Sequence, residues 1–366
     1  MKSFLSATSI EKSWQSAAND LLQQLGNIPA EANVAFIYVT DAFSVELSRL
    51  LEELKQKTNI QNWVGSVGKG ICSNNHEIYN NAAVTVMLAD FPEESFTIFD
   101  SMANAPKASA DSFGIRLALI HGDPRNGLVT EHINNLPEKL DNGYLVGGIT
   151  SSSNHFYQVA NNLTEGDISG IVFAENTSVI TGLTQGCTPI GETHTLTECN
   201  QHLAVSIDKR PALDVFKEEI GDVLARNIDR AAGYIFAGFP IKGSDTGDYR
   251  VRDIIGIDVE NKHLAIADDM DEDSTIIFCK RDGQSANQDM LRMLNDIKKR
   301  LGKQQPKGAI YISCLGRGIN LFGENSEELK MITEVLGEIP VAGFYANGEI
   351  AGNQLYGYTG VLTVFL

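Results

Sequence analysis

The sequence is short of three things. Only five of its 366 residues are cysteine, an odd and scattered set (Cys72, Cys187, Cys199, Cys279 and Cys314) with no C-x-x-C pair. A disulfide framework or a structural zinc site is therefore not expected, and reduced thiols in a cytoplasmic setting are. Basic residues are scarce as well: 29 Lys and Arg against 47 Asp and Glu leave a formal charge of −18, and no basic run exceeds Lys298-Lys299-Arg300. Such a surface repels phosphate backbones and anionic lipid, which argues against nucleic acid and membrane as primary partners. Long apolar runs are also missing. Stretches such as Val84–Ala89 are strand-sized, far below the roughly 20 residues that cross a bilayer. The first 25 residues are interrupted by Glu11, Lys12, Asn19 and Asp20 and lack the unbroken apolar core of a secretory signal.

What is present is a globular composition, 43% hydrophobic and 21% charged, in a chain long enough for two or three domains. Its organisation is a recurring block. Val34–Val39 has strand character, Ser44–Lys57 carries Leu47, Leu50, Leu51 and Leu54 at helical spacing, and Trp63–Val67 and Ala83–Leu88 are further strands. The order returns near the C-terminus: Ala309–Ser313, a helix with Leu329, Ile332, Val335 and Leu336 on one side, Pro340–Phe344, then Val361–Leu366. Gly65 and Gly70 in the first block match Gly343 and Gly348 in the last. A middle stretch, Ile115–Ile120, Leu128–Leu140, Tyr144–Gly148 and Ile168–Ala174, repeats the theme less clearly.

This pattern predicts an α+β (mixed α/β) fold in which repeated β-α-β-β units form two domains, with mixed sheets and helices packed on them. Pro211 is expected to open a helix with Leu213, Phe216, Ile220 and Leu224 inward, and Ser285 to Gln288 to form a capping box for another. The weakest join is the polar stretch Ser206–Arg210. It gives an N-terminal helical extension at 1–32, a domain at 33–207 and a second at 208–366. Before Val34 at most one amphipathic helix is expected.

Several motifs reduce to ordinary structure. Gly65-Ser-Val-Gly-Lys-Gly70 lacks the Ser or Thr and the glycine spacing of a phosphate loop, and Gly182-Leu-Thr-Gln-Gly186 is followed by residues that cannot start the helix of a nucleophile elbow. Asp269-Met-Asp-Glu-Asp273 has Ser274 and Lys280 where a calcium loop needs Gly and Glu, so it reads as an acidic turn. The richest segment is Tyr311-Ile-Ser-Cys-Leu-Gly-Arg-Gly318. Glycines crowd the exit of an apolar strand around Arg317, an arrangement suited to holding a carboxylate.

The chain resembles the FIST-domain proteins, with both N-terminal and C-terminal regions. The matching segments are Gly182–Gly191, Asp208–Val215, Tyr249–Asp258, Phe278–Asp282, Cys314–Gly318 with Phe322-Gly323, and Val341–Ile350. The resemblance implies a cytoplasmic sensory, signal-transduction module that binds a small ligand, an amino acid being the usual proposal. No F-box or output domain is expected in the chain, so a separate signalling protein such as a kinase would carry the output. Some relatives bind haem and respond to nitric oxide, for which His121, His194, Cys187 and Cys314 are candidate ligands with none favoured. A thiol-dependent enzyme, through Cys314 or Cys187, is the third reading, and neither cysteine has a visible base. The leading expectation is a non-catalytic sensor with its pocket between the two domains. There Arg317, with Arg252 or Arg281, would grip a carboxylate, Glu349 would meet an ammonium group, and Cys314, Gly316, Gly318, Gly343 and Gly348 would complete the lining. The bland alternative is that Arg252, Arg281, Asp282 and Glu349 form structural salt bridges.

Overall fold

A computed structural model describes residues 3–107, 114–225, 228, 231, 233–241 and 248–366. The chain divides into two compact units, residues 1–184 with 287–366, and residues 185–286. The α+β class expected from the sequence is the class found.

The first unit is three versions of one motif. The first runs β1 (Leu5–Ser9), α1 (Trp14–Leu25), β2 (Val34–Thr40), α2 (Leu47–Thr58), β3 (Asn62–Gly68), a hairpin of β4 (Gly70–Ser73) and β5 (His76–Tyr79), and β6 (Val84–Ala89). The second runs β7 (Phe96–Phe99), β8 (Ile115–Gly122), α3 (Val129–Lys139), β9 (Tyr144–Ile149), a hairpin of β10 (Gln158–Ala160) and β11 (Asn162–Thr164), and β12 (Ile168–Ala174). The third opens with β13 (Val179–Gln185) and is then interrupted by the second unit.

That second unit comprises β14 (Cys187–Asn200), β15 (Leu203–Ile207), β16 (Arg210–Pro211), α4 (Ala212–Ala225), β17 (Ile235–Pro240), β18 (Tyr249–Asp258), β19 (His263–Ile266) and β20 (Thr275–Arg281). Its sheet has the order β14-β20-β17-β18-β19-β15-β16, and an additional β14–β15 pairing closes it on itself. Leu213, Phe216 and Ile220 of α4 share its apolar core with Ile235, Ile276 and Phe278. The third repeat then resumes with α5 (Gly283–Leu301), β21 (Gly308–Cys314), α6 (Glu327–Leu336), β22 (Val341–Ala346), a hairpin of β23 (Glu349–Ala351) and β24 (Gln354–Tyr356), and β25 (Thr359–Phe365).

Each repeat builds a six-stranded sheet, but no sheet is made by one repeat alone. The orders are β1-β6-β2-β3-β10-β11, β7-β12-β8-β9-β23-β24 and β13-β25-β21-β22-β4-β5. In every case a parallel β-α-β pair accepts, on its second strand, the hairpin of another repeat. The exchange is cyclic: the first repeat gives its hairpin to the third, the third to the second, and the second to the first. At each parallel pair one glycine allows the backbones to approach. A Cβ on Gly65, Gly147 or Gly343 would overlap the carbonyl oxygen of Ile37, Ile120 or Tyr311 on the neighbouring strand.

One face of each sheet lies under its own helices. The opposite faces meet one another, with Tyr38 of the first sheet stacked on Phe344 of the third at 5.4 Å and His121 of the second edge-on to Tyr38 at 5.6 Å. Phe365 likewise touches Phe36 and Phe173 at centroid distances of 6.0 and 5.7 Å.

Three local readings are corrected. The stretch before Val34 adds a strand as well as a helix: Leu5–Ser9 is too short to show in hydrophobic periodicity, yet it pairs along its whole length with β6. Pro211 ends β16, and the helix begins one residue later. The cap of α5 is Asp282 rather than Ser285; its carboxylate accepts the Ser285 backbone N–H at 3.2 Å, so the helix starts at Gly283. Among the described residues no helix is long and apolar enough to cross a membrane.

Candidate functional site

The three sheets provide an internal control for which side chains the fold requires. Reading across the strands on the helix-covered face, the first sheet carries the row Ile37, Gly65, Val159, Leu163. The second carries Ile120, Gly147, Ile350, Leu355. The third carries Tyr311, Gly343, Cys72, Glu77. Two residues along the parallel pair, Val39 and Val67 or Gly122 and Ile149 give way to Ser313 and Tyr345. Two sheets therefore fill this layer with apolar side chains, and the third fills it with hydroxyls, a thiol and a carboxylate.

The helices follow the same division. The buried residues of α2 are four leucines and Thr58, and those of α3 are Ile133 and Leu136, whereas α6 buries Glu328 beside Leu329 and Ile332. Glu328 and Arg317 both have no exposed side-chain surface and pair at 2.7 Å through Arg317 Nε. Glu328 Oε1 also accepts from the Tyr311 hydroxyl at 2.6 Å and Ser313 Oγ at 3.1 Å, and Oε2 accepts the Gly318 backbone N–H at 2.9 Å. The carboxylate thus has a full set of donors, as a buried charge requires.

Arg317 is left incomplete. Its guanidinium lies over the Phe322 ring, 4.9 Å from the centroid, and both terminal nitrogens are buried without a hydrogen-bond partner. Around it are further unpartnered groups: both Glu77 oxygens, the Tyr79 and Tyr345 hydroxyls, and Glu349 Oε1. The two tyrosine rings are 4.7 Å apart, and their hydroxyls stand near the Glu77 carboxylate without the geometry of a full hydrogen bond. Burial, then the neighbouring Glu328 charge, pushes Glu77 up to about 7 against the pull of those hydroxyls. Gly318, at φ +49°, closes the cluster: a Cβ there would overlap the Tyr79 hydroxyl and stand 2.9 Å from Glu77 Oε2.

Of the residues singled out in the sequence, Cys314, Gly316, Arg317, Gly318, Gly343, Gly348 and Glu349 fall in the first unit. Glu349 Oε2 accepts from Thr359 N and Oγ1 at 3.0 and 2.8 Å, and burial pushes its carboxyl up to about 8, with Thr359 and Arg317 pulling the other way. Cys314 Sγ accepts the Gly316 N–H at 3.4 Å, and burial followed by the Glu349 charge raises its thiol pKa. Gly316 packs against the Tyr358 ring, and Gly348 has φ +135°. Arg252 and Arg281 belong to the second unit. Arg252 Nε is 3.4 Å from Asp268, and Arg281 lies on β20 opposite Cys187. Asp282 caps α5 through Ser285. Glu328, Glu77, Tyr79, Tyr345 and Cys72 were not anticipated.

None of the four candidate ligands is placed to hold a haem iron. His121 is fully buried with Tyr38 and Phe344 rings packed on it at 5.6 and 5.8 Å, and burial pulls its pKa down to about 3. His194 is held between Asp208 at 2.7 Å and Glu219 at 3.2 Å, Cys314 is held as a thiol, and Cys187 is buried in β14. A separate cleft of about 460 Å³ lies beside Asn33, Asn62, Phe96 and Asn161. Its amides bond the backbone of Phe91, Asn33 and Trp63, and Glu93 and Thr97 complete its polar lining.

The FIST N domain profile matches residues 33–210 and the FIST C domain profile residues 212–352. The chain belongs to the FIST family. FIST domains are sensory, signal-transduction modules that bind ligands rather than catalysts. The two profiles meet beside Pro211, whereas the compact units part at Thr184 and Ala286. Similar chains include an uncharacterized protein of Mycobacterium tuberculosis, 27% identical over 322 residues, or 83% of each chain. An uncharacterized protein of Mycobacterium bovis is 27% identical over 321 residues, 83% of this chain and 82% of its own. On the helix-covered face, among the described residues, the third sheet thus carries a buried polar cluster at rows where the other two sheets place apolar residues.

Proposed function

We propose that this FIST protein is a cytoplasmic sensor that takes a small carboxylate-bearing ligand, such as an amino acid, at Arg317 and transmits the bound state to a separate signalling partner. The observation that carries the reading is a fully buried guanidinium fixed through Nε by Glu328 while both terminal nitrogens have no partner. An unpaired buried donor costs about 1–3 kcal/mol, more when charged. A ligand carboxylate matches the planar fork and removes that cost. The same layer is apolar in the other two sheets, which supports a role beyond folding. The polar residues come from both sequence halves, Cys72, Glu77 and Tyr79 from one and Tyr311, Arg317, Glu328 and Tyr345 from the other. Five cysteines outside any disulfide accord with a reducing compartment.

Thermal-shift screening of the full chain against the amino acids and short carboxylic acids at millimolar concentration tests the reading. A ligand at 100 times its Kd adds about 2.7 kcal/mol. The expected result is a raised Tm with at least one carboxylate, lost in Arg317→Lys, whose ammonium keeps the charge but not the fork. A flat response across the panel, or unchanged binding by the variant, would refute it.

A further inference from the structure

The polar atoms left over beside Arg317 are of two opposite kinds. Arg317 presents donors, whereas Glu77 presents two carboxylate oxygens, and neither set is used by the other. Glu328 is not available to a ligand in the same way, because Arg317, Tyr311, Ser313 and Gly318 already occupy its oxygens. Glu349 has one oxygen committed twice, to the Thr359 backbone and hydroxyl. Glu77 makes no full hydrogen bond, although the Tyr79 and Tyr345 hydroxyls and the Ile319 backbone N–H lie close to its carboxylate.

Three features converge on the same spot. The Glu77 carboxylate, the Tyr79 hydroxyl and the edge of the Tyr345 ring all face the bare Cα of Gly318, with Glu77 Oε2 and Tyr345 Cε1 each 2.9 Å from where a Cβ would stand. Tyr345 is fully buried, and its hydroxyl has no partner. The hairpin that brings Glu77 here belongs to the first repeat, and the matching hairpins of the other repeats carry Leu163 and Leu355 at its position. A carboxylate flanked by two aromatic rings and their hydroxyls is a chemistry that recognises an ammonium group.

Resting on the carboxylate reading of Arg317, we propose that Glu77, Tyr79 and Tyr345 form an ammonium-recognising subsite, so that the donated β4–β5 hairpin sets specificity for ligands carrying a primary ammonium as well as a carboxylate. Once Glu77 releases its proton, its carboxylate and that of Glu328 face the single positive charge of Arg317. A ligand ammonium supplies the positive charge that is missing. The assignment moves ammonium recognition from Glu349 to Glu77, a residue on the opposite half of the sequence.

Calorimetric titration of the full chain with matched pairs tests this: L-alanine against propionate, L-leucine against 4-methylpentanoate, and L-glutamate against glutarate, for wild type, Glu77→Gln, Tyr345→Phe and Glu349→Gln. The expected result is at least a tenfold preference for the amino form of a pair in wild type, abolished in Glu77→Gln with carboxylate binding retained, reduced in Tyr345→Phe, and kept in Glu349→Gln. Equal affinity for both members of each pair in wild type overturns the subsite while leaving the Arg317 reading in place. So does a preference that survives Glu77→Gln or disappears in Glu349→Gln. If Glu77→Gln does not fold, an undiminished preference in Tyr345→Phe overturns it. Absence of binding by every probe overturns both proposals together.

Discussion

Replacing Glu328 alone is predicted to be far worse than replacing the whole cluster. Arg317 and Glu328 are fully buried and 2.7 Å apart. At an effective dielectric near 20 their gross attraction is about 6 kcal/mol, but removing each ion from water costs several kcal/mol, so the intact pair contributes little net stability. Glu328→Leu keeps the desolvation cost of Arg317 and deletes the attraction. It also strands the Tyr311 and Ser313 hydroxyls and the Gly318 N–H, which have Glu328 as acceptor. The loss expected is about 3–5 kcal/mol for the broken pair, or a fall in Tm of roughly 4–7 °C in a protein of 366 residues. Combining Glu328→Leu with Arg317→Met, Tyr311→Ile and Ser313→Val copies the solution of the first sheet, where Ile37 and Val39 occupy the last two positions. That variant is expected to recover most of the loss, within about 1–3 kcal/mol of wild type for imperfect packing, while losing all ligand response. Urea denaturation and thermal melting measure both. A single variant that loses less than about 1 kcal/mol, or a combined variant no more stable than the single one, would refute the idea that the cluster is dispensable for folding.

Two further outcomes follow from the same geometry. Glu349 is fully buried with its carboxyl raised from 4.5 to about 8. The folded state therefore holds a proton that the unfolded chain releases, and its stabilisation is complete below about pH 4.5 and is lost as pH rises to about 8, by about 5 kcal/mol if no ligand intervenes. Melting curves from pH 5 to 9 should show that decline in wild type and a shallower one in Glu349→Gln; identical slopes would count against it. Gly318→Ala should destabilise the third repeat and abolish ligand response, because φ is +49° and the added methyl collides with Tyr79. A variant that melts and binds like wild type would show that the left-handed turn is not needed.

The strands and helices were legible because their signals are local. Val34–Thr40, Ile168–Ala174 and the leucines of α2 announce themselves by apolar runs and by period. The shared punctuation of Gly65 and Gly70 with Gly343 and Gly348 also had a physical meaning: Gly65 and Gly343 sit at matching close approaches of parallel strands. The hairpin exchange was not legible, since nothing in residues 70–79 says that they pair with Val341–Ala346, more than 260 positions away, rather than with their own repeat. Arg317 could be singled out from its flanking glycines. The acids near it could not, because Glu328 hides in an otherwise apolar helical stripe and Glu77 lies in a polar hairpin where a surface carboxylate is the ordinary expectation.

Aligning the three repeats row by row exposes Glu77 and, beside Glu328, Tyr311. Glu77 falls where the matching hairpins have Leu163 and Leu355, and Tyr311 where the matching strands have Ile37 and Ile120. A position that is apolar in two copies of a motif and charged in the third bears a cost that the motif does not impose. Pseudo-symmetry therefore does here what comparison among separate proteins does elsewhere: it separates residues that make the fold from residues that use it. By that criterion the ligand chemistry proposed above lies in the core of the third sheet, where a hairpin donated by the first repeat supplies Glu77 and Tyr79.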